Sequence, residues 1–129
     1  MLSETELEII DGLFSICKVN DFNQVDIFRE YTFTATTGEE KSLICLTENI
    51  PKNTLEISNN WRAIKIRGIL DFSLIGILSK ILNILADSKI GIAAVSTFNT
   101  DYIFVKESNL NKAIKILAAA GYKIIYKQI

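Results

Sequence analysis

Residues 61–110 read WRAIKIRGILDFSLIGILSKILNILADSKIGIAAVSTFNTDYIFVKESNL, and the order of periodicities within them decides the fold. Over 61–69, Ile64 and Ile66 alternate with Lys65 and Arg67, the pattern of a strand with one buried face. From 73 to 88, apolar residues recur at 74, 77, 78, 81, 82 and 85, a stripe of period 3.6 that predicts a helix. Residues 90–98 and 102–106 read as two strands around a short turn. Over 109–121, Leu110, Ala113, Ile114 and Leu117 share one helical face. Gly121 then supplies the left-handed residue on which helices commonly stop. Residues 122–127, YKIIYK, complete the series as a strand. The order βαββαβ is the split βαβ, or ferredoxin-like, arrangement of an α+β protein.

The first half reads as a reduced copy of the second. LEIIDGLFSICKVN is strand-like with a kink or bulge expected at Gly12, and VDIFRE predicts one or two helical turns. YTFTATTGEEKSLICLT predicts a hairpin with TGEEK at its tip, and ENIPKN is a loop where a second helix would fall. DFNQVDIF at 21–28 aligns with DFSLIGIL at 71–78, and TTGEEKSLIC at 36–45 aligns with STFNTDYIFV at 96–105. The offsets, 50 and 60, differ by ten residues, so the first copy has the shorter helix. Two subdomains are expected, 1–58 and 61–129, joined by the polar Ser58-Asn59-Asn60. A sheet lacking its second helix has a bare face, which argues for the two halves packing against each other.

Bulk composition narrows the function. The chain has 129 residues, 49% of them hydrophobic, and a mean hydropathy of +0.26, which points to a buried second surface between subdomains or subunits. Fourteen basic and 15 acidic residues leave a net charge of −1, giving no drive toward nucleic acid or an anionic membrane. There is no histidine, so His-based triads, bases and metal ligands are excluded. Cys17 and Cys45 are expected as free buried thiols. The N-terminus lacks the features of a signal peptide, and the oiliest run, 69–87, is interrupted by Asp71, Ser73, Ser79, Lys80 and Asn83. A soluble cytoplasmic protein is expected.

Two places attract a ligand reading. Asp71 or Ser73 suits a helix N-cap, and Phe72 with Ile77 has the spacing of a hydrophobic staple. Gly76 in the first turn costs up to ~1 kcal/mol against alanine, and is useful where a ligand or another backbone approaches. In STFNTD, Asn99 and Thr100 are ordinary turn residues. Asp101 either bonds its own turn or faces an amino or guanidinium group. In βαββαβ order the start of strand 3 lies beside the end of strand 1, which brings Asp101 toward the helix start at Gly76. A helix N-terminus for a carboxylate and an Asp for an amine describe an amino-acid site. Glu39, Glu40 and Lys41 read as a solvated hairpin tip and Trp61 as a packing residue. P-loop, GxGxxG, CxxC and HExxH motifs are absent, and Arg62 and Arg67 fall on a strand rather than in an anion-cradling loop. No catalytic residue, metal or cofactor is expected.

The pattern W-x-A-I-K-I-x-G-x-L-D-F-S-L-x-G-I-L, followed by S-T-F-x-T-D-Y-I-x-V-K, resembles the ACT domains of small tandem-ACT proteins. These are related to the arginine-sensor units and to aspartokinase regulatory regions. The resemblance is specific over 61 to about 110 and looser over the first sixty residues. It implies two ACT subdomains side by side, antiparallel sheets with helices on one face, and a terminal strand that tandem copies sometimes exchange. It implies a non-enzymatic regulator whose ligand, an amino acid or similar molecule, sits at the interface between subdomains. By this resemblance Ser73, Leu74, Gly76 and Ile77 of the strand-to-helix turn, with Thr97, Phe98, Thr100 and Asp101 of the hairpin, would line the site. A homodimer or a partner enzyme is the implied recipient of the signal. The alternative is a ligand-free interaction or oligomerisation module. The first half departs from the pattern, since it lacks STFxTD, so the second half is expected to supply most of any site.

Overall fold

The computed structural model describes residues 5–67 and 76–127. The element order is β1 (Glu6–Val19), β2 (Phe33–Thr36), β3 (Lys41–Leu46), a 3₁₀ turn (Thr47–Asn49), β4 (Thr54–Arg67), α1 (Ile77–Asp87), β5 (Ile92–Ser96), β6 (Asp101–Lys106), α2 (Glu107–Ala119) and β7 (Lys123–Lys127). The chain groups into two compact units: Met1–Asp11 with Arg62–Ile129, here the long unit, and Gly12–Trp61, the short unit.

In the long unit the strands run in the order β7-β1-β4-β6-β5, with α1 and α2 as cover. Alternate residues of the strands face the helices: Leu7 and Ile9, Ile64 and Ile66, Ile103 and Val105. Against them pack Ile81 and Leu85 of α1 and Leu110, Ala113 and Leu117 of α2, the stripes that the 3.6 periodicity predicts. Each fully buried Leu or Ile contributes roughly 1.5–3 kcal/mol by removal from water.

Both helices stop by the same device. Gly121 has φ 104°, its N–H donates to Ala118 O (3.0 Å) and the N–H of Tyr122 to Leu117 O (3.2 Å). In α1 the left-handed position falls on Lys89 (φ 61°), with bonds from Lys89 N–H to Ala86 O (2.9 Å) and from Ile90 N–H to Leu85 O (3.0 Å). Both are Schellman motifs, and the buried Tyr122 and Ile90 make the apolar contact that accompanies them. Lys112 adds its ammonium to Ser88 O (3.0 Å), at the negative end of α1.

One expectation for this half needs correcting, and the place of the closing strand adds to the rest. The helix expected over 73–88 runs from Ile77 to Asp87, with Gly76 as its N-cap; the caps proposed at Asp71 and Ser73 lie outside the described residues. The closing strand, β7, pairs in parallel with Glu6–Ile10 of β1, and β1 stands between it and β4. Composition explains the order: Leu7, Glu8, Ile9 and Ile10 are buried in succession, as suits an interior strand. KIIYK carries a lysine at each end and suits an edge.

In the short unit the order is β2-β3-β1-β4. β1 pairs antiparallel with β3 from Phe14↔Leu46 to Val19↔Lys41, and β3 pairs with β2 from Phe33↔Ile44 to Thr36↔Lys41. Gly12, where a kink or bulge is expected, lies within β1 with a φ of 121°. Ser58–Asn60, expected as a linker, lies inside β4, where Asn59 Oδ1 accepts a bond (2.6 Å) from the fully buried Ser15 hydroxyl of β1. The helical turns expected in VDIFRE do not form. Asp21 and Asp26 each accept the N–H two residues ahead, from Asn23 (2.9 Å) and Phe28 (3.0 Å). Such Asx turns compete with a helix for the same donors. Cys17, Val19, Leu43 and Cys45 form the buried cluster of this unit, beneath Phe22, Val25 and Ile50. Both cysteines are free thiols. Among the described residues no helix is long and apolar enough to cross a membrane.

Candidate functional site

The residues singled out in the second half fall on the β5–β6 hairpin and the start of α1. Thr97 closes the hairpin turn three times over. Its N–H donates to Thr100 O (2.7 Å), its hydroxyl donates to the same oxygen (3.0 Å), and its Oγ1 accepts the N–H of Thr100 (3.3 Å). The Thr100 side chain is buried and its hydroxyl donates to Ile66 O. That bond fixes the start of β6 beside the end of β4, the strand that leads toward α1, as the βαββαβ order requires. Along the same pair of strands the Lys65 ammonium lies 5.9 Å from the Tyr102 ring centroid, within cation–π range.

Asp101 faces Ser96 across the hairpin and its Oδ1 accepts the Ser96 hydroxyl. Phe98 stands fully in solvent, at 103% relative exposure. On the other segment Gly76 adopts φ 91°, a left-handed conformation that favours glycine whatever the space around it. Gly76 O accepts the Lys80 N–H (2.9 Å), and Ile77 packs partly buried against the core. Ser73 and Leu74 lie outside the described residues.

The β2–β3 turn makes an instructive control. Thr37 N–H donates to Glu40 O (2.9 Å), Thr37 hydroxyl donates to the same oxygen (3.3 Å), and Thr37 Oγ1 accepts the Glu40 N–H (3.1 Å). These are the bonds of the Thr97–Thr100 turn at an offset of 60 residues, the offset of the internal match. Gly38 takes the place of Phe98, Glu40 that of Thr100 and Lys41 that of Asp101. Closure of such a turn therefore requires neither an aspartate nor an aromatic residue. Glu39, Glu40 and Lys41 form the hairpin tip, with Glu40 taking the Ser42 hydroxyl (2.8 Å). Trp61 Nε1–H donates to Ser58 Oγ (3.0 Å) from a half-buried ring. Arg62 and Arg67 lie on β4, and Arg67 pairs with Glu6 (3.9 Å).

Two concavities in the short unit were not visible in the sequence. An open groove of about 470 Å³ runs past Lys18, Glu39, Glu40, Ser42 and Glu56. A smaller one, about 240 Å³, is bordered by Gln24, Val25, Asp26, Arg29, Thr32 and residues 48–51, near the buried Leu43 and Cys45. Burial pushes the Cys45 thiol up to about 12, with the neighbouring Cys17 adding to the rise; burial also raises Cys17. Among the described residues there is no group of three or more His, Cys, Asp or Glu able to hold a metal ion.

Residues 56–119 match the family model of the ACT domain. A search of curated proteins finds no match. The chain is similar to the crystal structure of a protein from Agobacterium tumefaciens, with a TM-score of 0.86 and 26% identity over 96% of this chain and 94% of that one. It is similar in fold to a Vibrio cholerae protein of unknown function, with a TM-score of 0.71 and 16% identity over 93% of this chain and 92% of that one. It is also similar in fold to the ligand-free regulatory subunit of aspartate kinase from Thermus thermophilus. There the TM-score is 0.56 and the identity 10%, over 90% of this chain and 95% of that one.

Proposed function

From the match of residues 56–119 to the ACT-domain family model, we propose that the chain is an ACT-domain protein and a non-enzymatic regulator that binds an amino acid or a similar small ligand. The ligand's carboxylate meets the N–H groups at the start of α1, at Gly76 and Ile77, where the helix dipole is positive. Ser73 and Leu74, which the family resemblance also implicates, lie outside the described residues. Its ammonium meets the Asp101 carboxylate, and Thr97, Phe98 and Thr100 form the rest of the wall. The observation that carries this reading is the pair of turns: the Thr37 turn closes by the same bonds without an Asp or a Phe. Asp101 and Phe98 are thus additions that closure does not demand.

We read the two units as tandem ACT-like subdomains, 1–58 and 61–129 in sequence, with the first strand of the chain lent to the second copy's sheet. The repeated turn and the β1–β7 pairing support this. Binding acts by population shift: the ligand stabilises the arrangement that it binds better, and a partner enzyme or a second copy of the chain reads the change.

Thermal-shift screening against the twenty amino acids tests the proposal. At least one should raise the melting temperature at millimolar concentration, and Asp101→Ala should weaken its affinity in isothermal titration. No stabilisation by any amino acid would contradict a ligand, and an unchanged affinity would remove Asp101 from the site. A second reading, assembly without a ligand, is favoured by exposed apolar residues on strands: Leu55 and Ile57 of β4 at 59% and 48%, and Ile92 of β5 at 36%. Light scattering that gives one ligand-independent dimer would support it.

A further inference from the structure

The Thr100 hydroxyl makes a bond that its turn does not need. The closing bonds use Thr100 through its backbone: its carbonyl accepts the N–H and the hydroxyl of Thr97, and its N–H donates to Thr97 Oγ1. Glu40 serves Thr37 with the same backbone groups, while its carboxylate takes the Ser42 hydroxyl on the exposed tip. The turn therefore leaves the side chain at this position free to vary. In the β5–β6 hairpin it is a buried threonine whose hydroxyl donates to Ile66 O. Ile66 is buried as well, and a buried carbonyl that loses its donor costs the desolvation of that group.

The consequence lies in where the two residues stand. Ile66 precedes the last residue of β4, and Thr100 precedes Asp101, the first residue of β6. Asp101 is held in turn by the hydroxyl of Ser96, its register partner on β5. The strands lie in the order β4-β6-β5, so the start of β6 is tied by side chains to both of its neighbours. A carboxylate held in this way loses little freedom when an ammonium meets it. Such preorganisation raises affinity without adding a contact.

We propose that Thr100 is a positioning residue, which makes no bond to the ligand and sets the place of the Asp101 carboxylate through its bond to Ile66. The inference rests on the amino-acid reading of the Asp101 site and moves Thr100 from the wall of that site to the support behind it.

The test compares three variants of the full chain. Thr100→Val keeps the shape and the backbone bonds of the turn and removes the hydroxyl. Thr100→Ser keeps the hydroxyl. Thr37→Val removes the hydroxyl bonds of the other turn and serves as the control. One readout needs no ligand: the ¹³C shift of the Ile66 carbonyl should move in Thr100→Val and hold in Thr100→Ser and Thr37→Val. The other is isothermal titration with each of the twenty amino acids at millimolar concentration. An amino acid that binds the wild type should bind Thr100→Val about tenfold more weakly, and Thr100→Ser and Thr37→Val as the wild type does. In Asp101→Ala, adding Thr100→Val should cost nothing further, because Thr100 acts through Asp101.

Unchanged affinity in Thr100→Val would overturn the proposal alone, and so would a loss that Thr100→Ser does not restore. An Ile66 carbonyl shift indifferent to Thr100→Val would overturn it too. A further loss in the Asp101→Ala background would mean that Thr100 touches the ligand itself, against the proposal. If no amino acid binds the wild type, the reading of the site fails and the proposal fails with it.

Discussion

Thr37 and Thr97 close their turns with the same bonds, yet the sheets behind the two turns are covered by different means. In the long unit, helices of 11 and 13 residues lay apolar stripes on the strands and end on paired Schellman motifs. In the short unit the corresponding connection is a loop pinned by Asp21 and Asp26, followed later by a 3-residue 3₁₀ turn. A hairpin turn is set by a few neighbouring residues and survives divergence around it. A helix needs a sustained stripe and free backbone donors, and two aspartates at the wrong positions suffice to prevent it.

The largest expected effect tests the difference in cover. Leu85→Ala, in a fully buried site under α1, should cost about 2–5 kcal/mol in urea unfolding. Val25→Ala, half-buried in the loop cover, should cost no more than about 1 kcal/mol. Equal losses would break the comparison. Alkaline titration tests the short unit's core next. The Cys45 thiol stays neutral in the folded chain up to about 12, whereas an unfolded thiol ionises near 9.0. Its contribution to stability is therefore complete below pH 9 and is lost as the pH rises toward 12. Denaturation midpoints should fall over that window, and Cys45→Val should flatten the fall; an unchanged slope would contradict the burial argument.

Smaller effects sharpen the likeness of the turns. Thr37→Val and Thr97→Val should each cost about 1 kcal/mol, because each removes the two hydroxyl bonds that the turns share; Thr37 also accepts the Glu39 N–H (3.2 Å). A loss confined to Thr97 would mean that the two turns differ in kind. The smallest change concerns the helix ends. Lys89 occupies the left-handed position that Gly121 fills in α2, so Lys89→Gly should gain about 0.5 kcal/mol in thermal unfolding. A loss would show that the Lys89 side chain makes a contact worth more than its backbone strain.

Much of the long unit was legible because its signals are local. The stripe at 77, 78, 81, 82 and 85, the alternation at Ile64 and Ile66, and the stop at Gly121 each act within a few residues. The pairing of β7 with Glu6–Ile10 was not legible, because it joins segments more than a hundred residues apart and nothing in KIIYK names its neighbour. The missing turns of VDIFRE were a misreading of Asp21 and Asp26, whose Asx bonding is a visible signal. In the candidate site, the sequence correctly set the Asp101 end of β6 beside the end of β4, a placement fixed by the Thr100–Ile66 bond. It left two roles open for Asp101, and the Ser96 bond fills the local one without using up the carboxylate. The cavity beside Cys45 had no sequence signal, since segments about twenty residues apart in the chain line it.

The most direct test of the account is an NMR titration of the protein with whichever amino acid stabilises it most. The account predicts shifts of the Gly76 and Ile77 amides together with those of residues 97–101, and their loss in Asp101→Ala. Shifts that leave both segments untouched, or that persist unchanged in Asp101→Ala, would contradict it.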